Sequence, residues 1–132
     1  MPYIADMKKA TAFKEAGQLV GNGQCVTLVH AVVYIPQTSH WERGGLVMDD
    51  HSIQPGTVIA TFDDDGSYGN HTNHTSHAAI YLYQTTDGIV VMDQWKGSRG
   101  NRDHPPQQRT IHFQEDHNGF KVDDGTQYHV VD

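Results

Sequence analysis

The chain changes its hydrophobic period partway along, and that change limits the folds open to it. Between Ala5 and Gly17, Met7, Ala10, Phe13 and Ala16 recur at steps of three, which places them on one stripe of a helix. Gly21-Asn22-Gly23 interrupts the pattern. From Gln24 to Tyr34 a second helical face carries Val26, Val29, Val32 and Val33, and it stops before Pro36. The β-branched content is high for a helix, so spacing carries this assignment against propensity.

After Pro55-Gly56 the period shortens. Strands are expected at Thr57–Phe62, at His77–Tyr83 and from Ile89 to about Trp95, with weaker candidates at Arg109–Phe113 and Gln127–Val131. Thr85-Thr86-Asp87-Gly88 reads as a hairpin turn between the second and third. Residues 37–54 read as a long loop or short helical turns anchored by Trp41, and residues 63–76 and 96–108 read as polar loops. Helices first and strands afterwards predict an α+β fold, with two N-terminal helices packed on a mostly antiparallel sheet. At 132 residues, the chain is expected to form one domain over 1–132.

Composition narrows the function. Nine Lys and Arg against sixteen Asp and Glu leave a net charge of −7, which disfavours a general grip on nucleic acid or on an anionic membrane. No apolar stretch is long enough for a membrane span. The N-terminal segment lacks the charged and apolar regions of a secretory signal, so synthesis in the cytoplasm is expected. The sequons at Asn70 and Asn73 are then accidental. Asp63-Asp64-Asp65-Gly66 lacks the spaced ligands of a calcium loop and reads as a solvated turn.

One cysteine rules out an intrachain disulfide and any zinc site built from several thiolates. Cys25 falls in the first turn of the second expected helix, where unpaired N–H groups and the helix dipole favour a thiolate. The same N–H groups can hold the oxyanion of an acyl-transfer intermediate. Ten histidines compete to be its base, and local context selects His77, which opens an otherwise small, apolar strand. A hairpin turn near residues 85–87 brings Asp93 on the next strand almost across from it. A carboxylate there would fix the imidazole tautomer and support its charged form.

These residues carry a family resemblance. Gly21-Asn22-Gly23-Gln24-Cys25-Val26-Thr27-Leu28-Val29, Ile53-Gln54-Pro55-Gly56-Thr57-Val58, His77-Ala78-Ala79-Ile80-Tyr81 and Asp93-Gln94-Trp95 follow one another in the order of the papain-like cysteine amidases of cell walls. The pattern is most similar to the cysteine- and histidine-dependent amidohydrolase/peptidase (CHAP) branch, with the NlpC-type endopeptidases as close relatives. The resemblance implies Cys25 as nucleophile, His77 as general base and Asp93 as the group that orients it. It offers Gln24 and the Cys25 N–H for the oxyanion, and Gln94 competes with Asp93 for the third role. Trp95 is read as packing or as a platform for substrate. The resemblance requires no cofactor and implies a peptidoglycan stem peptide or cross-bridge as substrate. Small domains of this kind also resemble the amidase effectors of type VI secretion, which implies delivery to the periplasm of a target cell and an immunity protein as partner.

Two other readings stay open at this level. His71, His74 and His77 recur every third residue and could converge on zinc in a metal-binding protein or metal-dependent hydrolase, which would remove His77 from service as a base. Alternatively, Cys25 is a buried small hydrophobe in a non-catalytic binding module.

Overall fold

A computed structural model describes residues 2–97, 100–114 and 119–132. Helix α1 spans Met7–Ala16, and α2 spans Cys25–Val32. Asp6 caps α1 by accepting from the Lys8 and Lys9 N–H groups at 3.0 and 3.3 Å, and Gly17 ends it in the left-handed conformation at φ 68°. No side chain caps α2, which begins at the thiol itself.

Six strands follow: β1 Arg43–Leu46, β2 Val58–Thr61, β3 Ala78–Gln84, β4 Gly88–Trp95, β5 His104–His112 and β6 Tyr128–Val131. They form one sheet in the order β1-β6-β2-β3-β4-β5, with every pairing antiparallel. The architecture is the expected α+β arrangement. The interior strands β2, β3 and β4 coincide with the three stronger expectations.

The edges differ from them. The segment expected as loop at 37–54 contains β1, whose Arg-Gly-Gly-Leu sequence has no alternating pattern and gains its order by pairing with β6. The expected polar loop at 96–108 ends in β5, which starts five residues before Arg109; residues 98 and 99 of that loop lie outside the described residues. Pro105 and Pro106 disguise β5, yet an edge strand tolerates them because one side of its backbone makes no ladder. Trp41 is an anchor as expected: it is buried, donates from Nε1 to the Pro36 carbonyl at 2.9 Å, and packs on Tyr68 at 4.9 Å between ring centres.

Strand periodicity divides the core into two layers. Val58, Ala60, Ala78, Ile80 and Met92 pack against Leu28, Val29 and Val32 of α2, with Ala10 of α1 in the same cluster. Ile59, Ala79, Tyr81, Ile89, Val91, Ile111 and Tyr128 form the layer on the other face, covered by Val47, Ile53 and Phe113. Each fully buried Val, Leu or Ile contributes about 1.5–3 kcal/mol, so the sheet is held from both sides.

One irregularity matters for the site. Near the turn, Gln84 pairs with Ile89 and Tyr83 with Val90, whereas further along Tyr81 pairs with Val91 and Ile80 with Met92. The register slips by one residue at Leu82, a β-bulge. Beyond it, Asp93 falls on the same side of the hairpin as residues 77, 79 and 81.

Candidate active site

The Gly-bearing turn before α2 is held by an amide from the sheet. Gln94 is fully buried; its Oε1 accepts from the Val20 N–H at 2.8 Å, while Nε2 donates to the Val20 carbonyl at 3.1 Å and the Gln24 carbonyl at 2.8 Å. Asn22 Oδ1 accepts from the Gln24 N–H at 3.0 Å and from Thr27 Oγ1 at 2.5 Å. Gly21 and Gly23 take positive φ values of 57° and 85°, and a Cβ on Gly21 would meet Thr27 Cγ2 at 2.6 Å. These contacts fix where α2 starts, and therefore where Cys25 stands.

Cys25 is half-buried at that helix start. Burial raises its thiol, but the charge and hydrogen bond of His77, the Ala78 backbone and the Tyr68 hydroxyl together bring it below its ordinary value. The Tyr68 hydroxyl lies 3.8 Å from Sγ. Burial pushes the Tyr68 phenol well above its usual range, so it remains an O–H donor to the sulfur.

His77 precedes β3 and is buried. Its backbone is tied to β2, with its N–H donating to Thr61 Oγ1 and its carbonyl accepting from the Thr61 N–H, both at 3.0 Å. Its Nε2 donates to Asp93 Oδ2 at 2.7 Å, which leaves Nδ1 to serve the thiol. Burial alone would lower the imidazole; the thiolate of Cys25 and the bond to Asp93 outweigh it and push the group up to about 10. The thiol is lowered and the imidazole raised, each through the other, so both shifts favour passing the Cys25 proton to His77.

Asp93 lies at the buried centre of a second set of donors. Arg109 gives it Nε at 2.9 Å and Nη2 at 2.8 Å, both to Oδ2, and His104 Nε2 donates to Oδ1 at 3.1 Å. Burial acts against its charge, yet the hydrogen bonds from His104 and His77 and the charges of His77 and Arg109 hold the carboxyl well below the usual range.

The structure thus brings Cys25, His77 and Asp93 together, and it gives the other residues singled out by sequence different surroundings. Gln94 does not reach His77: its amide is committed to the Val20 and Gln24 backbone, on the loop side of β4. Gln24 is the exposed N-cap of α2, and its carbonyl is the atom Gln94 holds. Trp95, 37% exposed, stacks on His104 at 3.7 Å with 5° between planes and meets His77 edge-on at 6.2 Å. The three spaced histidines diverge. His71 bonds Asp63 at 2.9 Å, His74 stacks on Phe120 at 4.2 Å and His77 turns to Asp93, so the suggested zinc cluster does not assemble.

Three residues at the site escaped the sequence reading. Tyr68 lies in an aperiodic loop, where nothing marks one side chain as inward. His104 and Arg109 lie on the strand hidden by its prolines, and only the pairing of Asp93 with Gln107 and of Trp95 with His104 reveals them.

Comparison with known proteins identifies the fold and the family. The family model for domesticated amidase effector 2 matches residues 4–131. A "Type VI secretion amidase effector 2 protein" of Salmonella typhi is 38% identical over 126 residues, which is 96% of this chain and 89% of that protein. The solved structure of "Type 6 secretion amidase effector 2 (Tae2)" superposes with a TM-score of 0.79 at 32% identity, covering 98% of this chain and 94% of that one. With a helix-borne thiol, a buried imidazole and a carboxylate aligned on that shared fold, the chain belongs to the domesticated amidase effector 2 family.

Proposed function

We propose that the protein is a cysteine amidase that hydrolyses an amide bond in a peptidoglycan stem peptide or cross-bridge. The observation that carries the reading is the buried bond of 2.7 Å between His77 Nε2 and Asp93 Oδ2, with the other side of the imidazole serving Cys25. The thiolate attacks the substrate carbonyl, and the oxyanion is received at the start of α2 by the Cys25 N–H and the Gln24 side chain. The His77 imidazolium gives its proton to the leaving amine as the C–N bond breaks, leaving a thioester. Water then loses a proton to His77 and attacks the thioester, which releases a carboxylate product and restores the pair.

The names of relatives as type VI secretion amidase effectors support delivery to a target cell. A peptidoglycan substrate then makes the periplasm of that cell the place of action, and a producer of such an enzyme needs an immunity protein. Residues 1–132 then act as one catalytic domain. Among the described residues no helix is long and apolar enough to cross a membrane. The net charge of −7 gives no attraction to an anionic wall, so affinity comes from short-range contacts around Cys25. Digesting purified peptidoglycan with wild-type protein and with Cys25→Ala, followed by mass spectrometry of the fragments, tests the reading. New amine and carboxyl termini from wild type alone support it; identical fragments from both proteins refute it.

A further inference from the structure

Asp93 receives more donors than orienting one imidazole requires. A carboxylate has about four lone-pair positions. His77 takes one on Oδ2, the Arg109 fork spans both oxygens with Nε at 2.9 and 3.2 Å and Nη2 at 2.8 Å, and His104 Nε2 takes Oδ1 at 3.1 Å. Both extra partners come from β5. His104 has its tautomer set from outside, because Gln107 Nε2 lies 2.9 Å from Nδ1 and donates there, leaving the ring proton on Nε2 for Asp93. Trp95 covers the assembly, stacked on His104, with the Arg109 guanidinium carbon 4.8 Å from its ring centre.

The reaction supplies a reason for this surplus. In the proposed cycle Asp93 faces an imidazolium until the amine leaves. Once that proton has passed to the leaving amine, His77 is neutral and the buried carboxylate has lost one of its two cations. A buried carboxylate without a counter-charge takes up a proton, and a protonated carboxyl no longer holds the imidazole in the orientation it needs. The guanidinium does not deprotonate, so its charge persists through the cycle.

We propose that Arg109 is a positioning residue for the hydrolysis: its two-pronged contact keeps Asp93 an aimed anion while His77 is neutral, and His104, set by Gln107, fixes the second oxygen. This inference rests on the Cys25–His77 reading. The other ionisable groups in the field are Cys25 beyond His77, Tyr128 on β6 and Asp123 in the turn Lys121–Asp123. Tyr128 is kept neutral by burial and donates to the Val122 carbonyl at 2.7 Å, while Asp123 adds negative charge near Arg109. Neither replaces the guanidinium.

Arg109→Gln keeps a donor and removes the charge; Arg109→Lys keeps the charge and removes the fork. Cleavage of soluble muropeptides, followed as kcat and KM from acid to neutral pH, separates the two contributions. Arg109→Gln is expected to lower kcat by roughly ten- to a hundredfold, as loss of an outer-shell partner does, with KM little changed. Its acid limb should also move to higher pH, because Asp93 then takes up a proton within the working range. Arg109→Lys should keep the wild-type acid limb at a reduced kcat. An Arg109→Gln profile that superimposes on wild type, or a loss of amplitude identical in both variants with no movement of the limb, overturns the proposal. Cys25→Ala in the same assay separates the two levels: activity in that variant refutes the thiol mechanism itself, whereas an unshifted Arg109→Gln profile refutes only the clamp.

Discussion

His77 Nε2 and Asp93 Oδ2 are 2.7 Å apart with both side chains buried, and this bond decides which imidazole nitrogen faces Cys25. Asp93→Asn keeps the shape but replaces the carboxylate with an amide that can present its NH2 group to the ring and favour the wrong tautomer. A fall in kcat of about a thousandfold or more is expected, with a small change in KM, together with a lower melting temperature because the half-buried Arg109 charge loses its counter-ion. Steady-state kinetics on muropeptides checks it.

The opposite shifts of Cys25 and His77 also shape stability against pH. His77, raised when folded, contributes stability that is full below 6.5 and is lost as pH rises toward its folded value of about 10. Cys25, lowered when folded, contributes stability that is full above 9.0 and is lost as pH falls below it. Between 6.5 and 9.0 the two contributions therefore run in opposite directions. Asp93, depressed when folded, adds stability that is present above 3.8 and declines as pH falls below it. Cys25→Ala removes the contribution that grows with pH while Asp93 still holds His77 up, so its melting temperature should fall relative to wild type as pH rises from 6.5 toward 9.0. Thermal melts across pH would show a failed prediction as parallel curves.

Tyr68→Phe removes the hydroxyl 3.8 Å from Sγ and leaves the ring packed on Trp41 and Phe62. Losing one hydrogen bond of about 0.5–1.5 kcal/mol should raise the thiol and slow alkylation by iodoacetamide at mildly acidic pH roughly two- to tenfold. Equal alkylation profiles would show that the hydroxyl does not act on the sulfur.

Gln94→Leu removes three hydrogen bonds and leaves the Val20 N–H without its partner. Destabilisation of about 2–4 kcal/mol is expected from denaturant unfolding, because buried polar groups are left unpaired. Activity should fall along with it, since the same loop sets the start of α2.

Legibility in the sequence followed local pattern. Cys25 could be placed because valines at helical spacing follow a Gly-Asn-Gly breaker, and His77 and Asp93 because β3 and β4 are continuous apolar runs joined by a short turn. β1 was hidden because its two glycines carry no pattern, and β5 because prolines and polar side chains imitate a loop. Both are edge strands, whose order comes from a neighbour far along the chain. The second set of Asp93 partners was hidden with β5, and Tyr68 with its loop.

Adjacent residues on β4 have opposite assignments. Asp93 turns to the imidazole, Gln94 to the carbonyls of the loop before Cys25, and the extra residue at Leu82 determines which goes where. Read one step out of phase, the hairpin would hand an amide to His77 and aim a carboxylate at the Val20 and Gln24 carbonyls, which can only repel it. An odd insertion or deletion within β4 between Gly88 and Asp93 therefore exchanges the two assignments, while an even one preserves them. Parity makes the residue count of that strand part of the chemistry of the site.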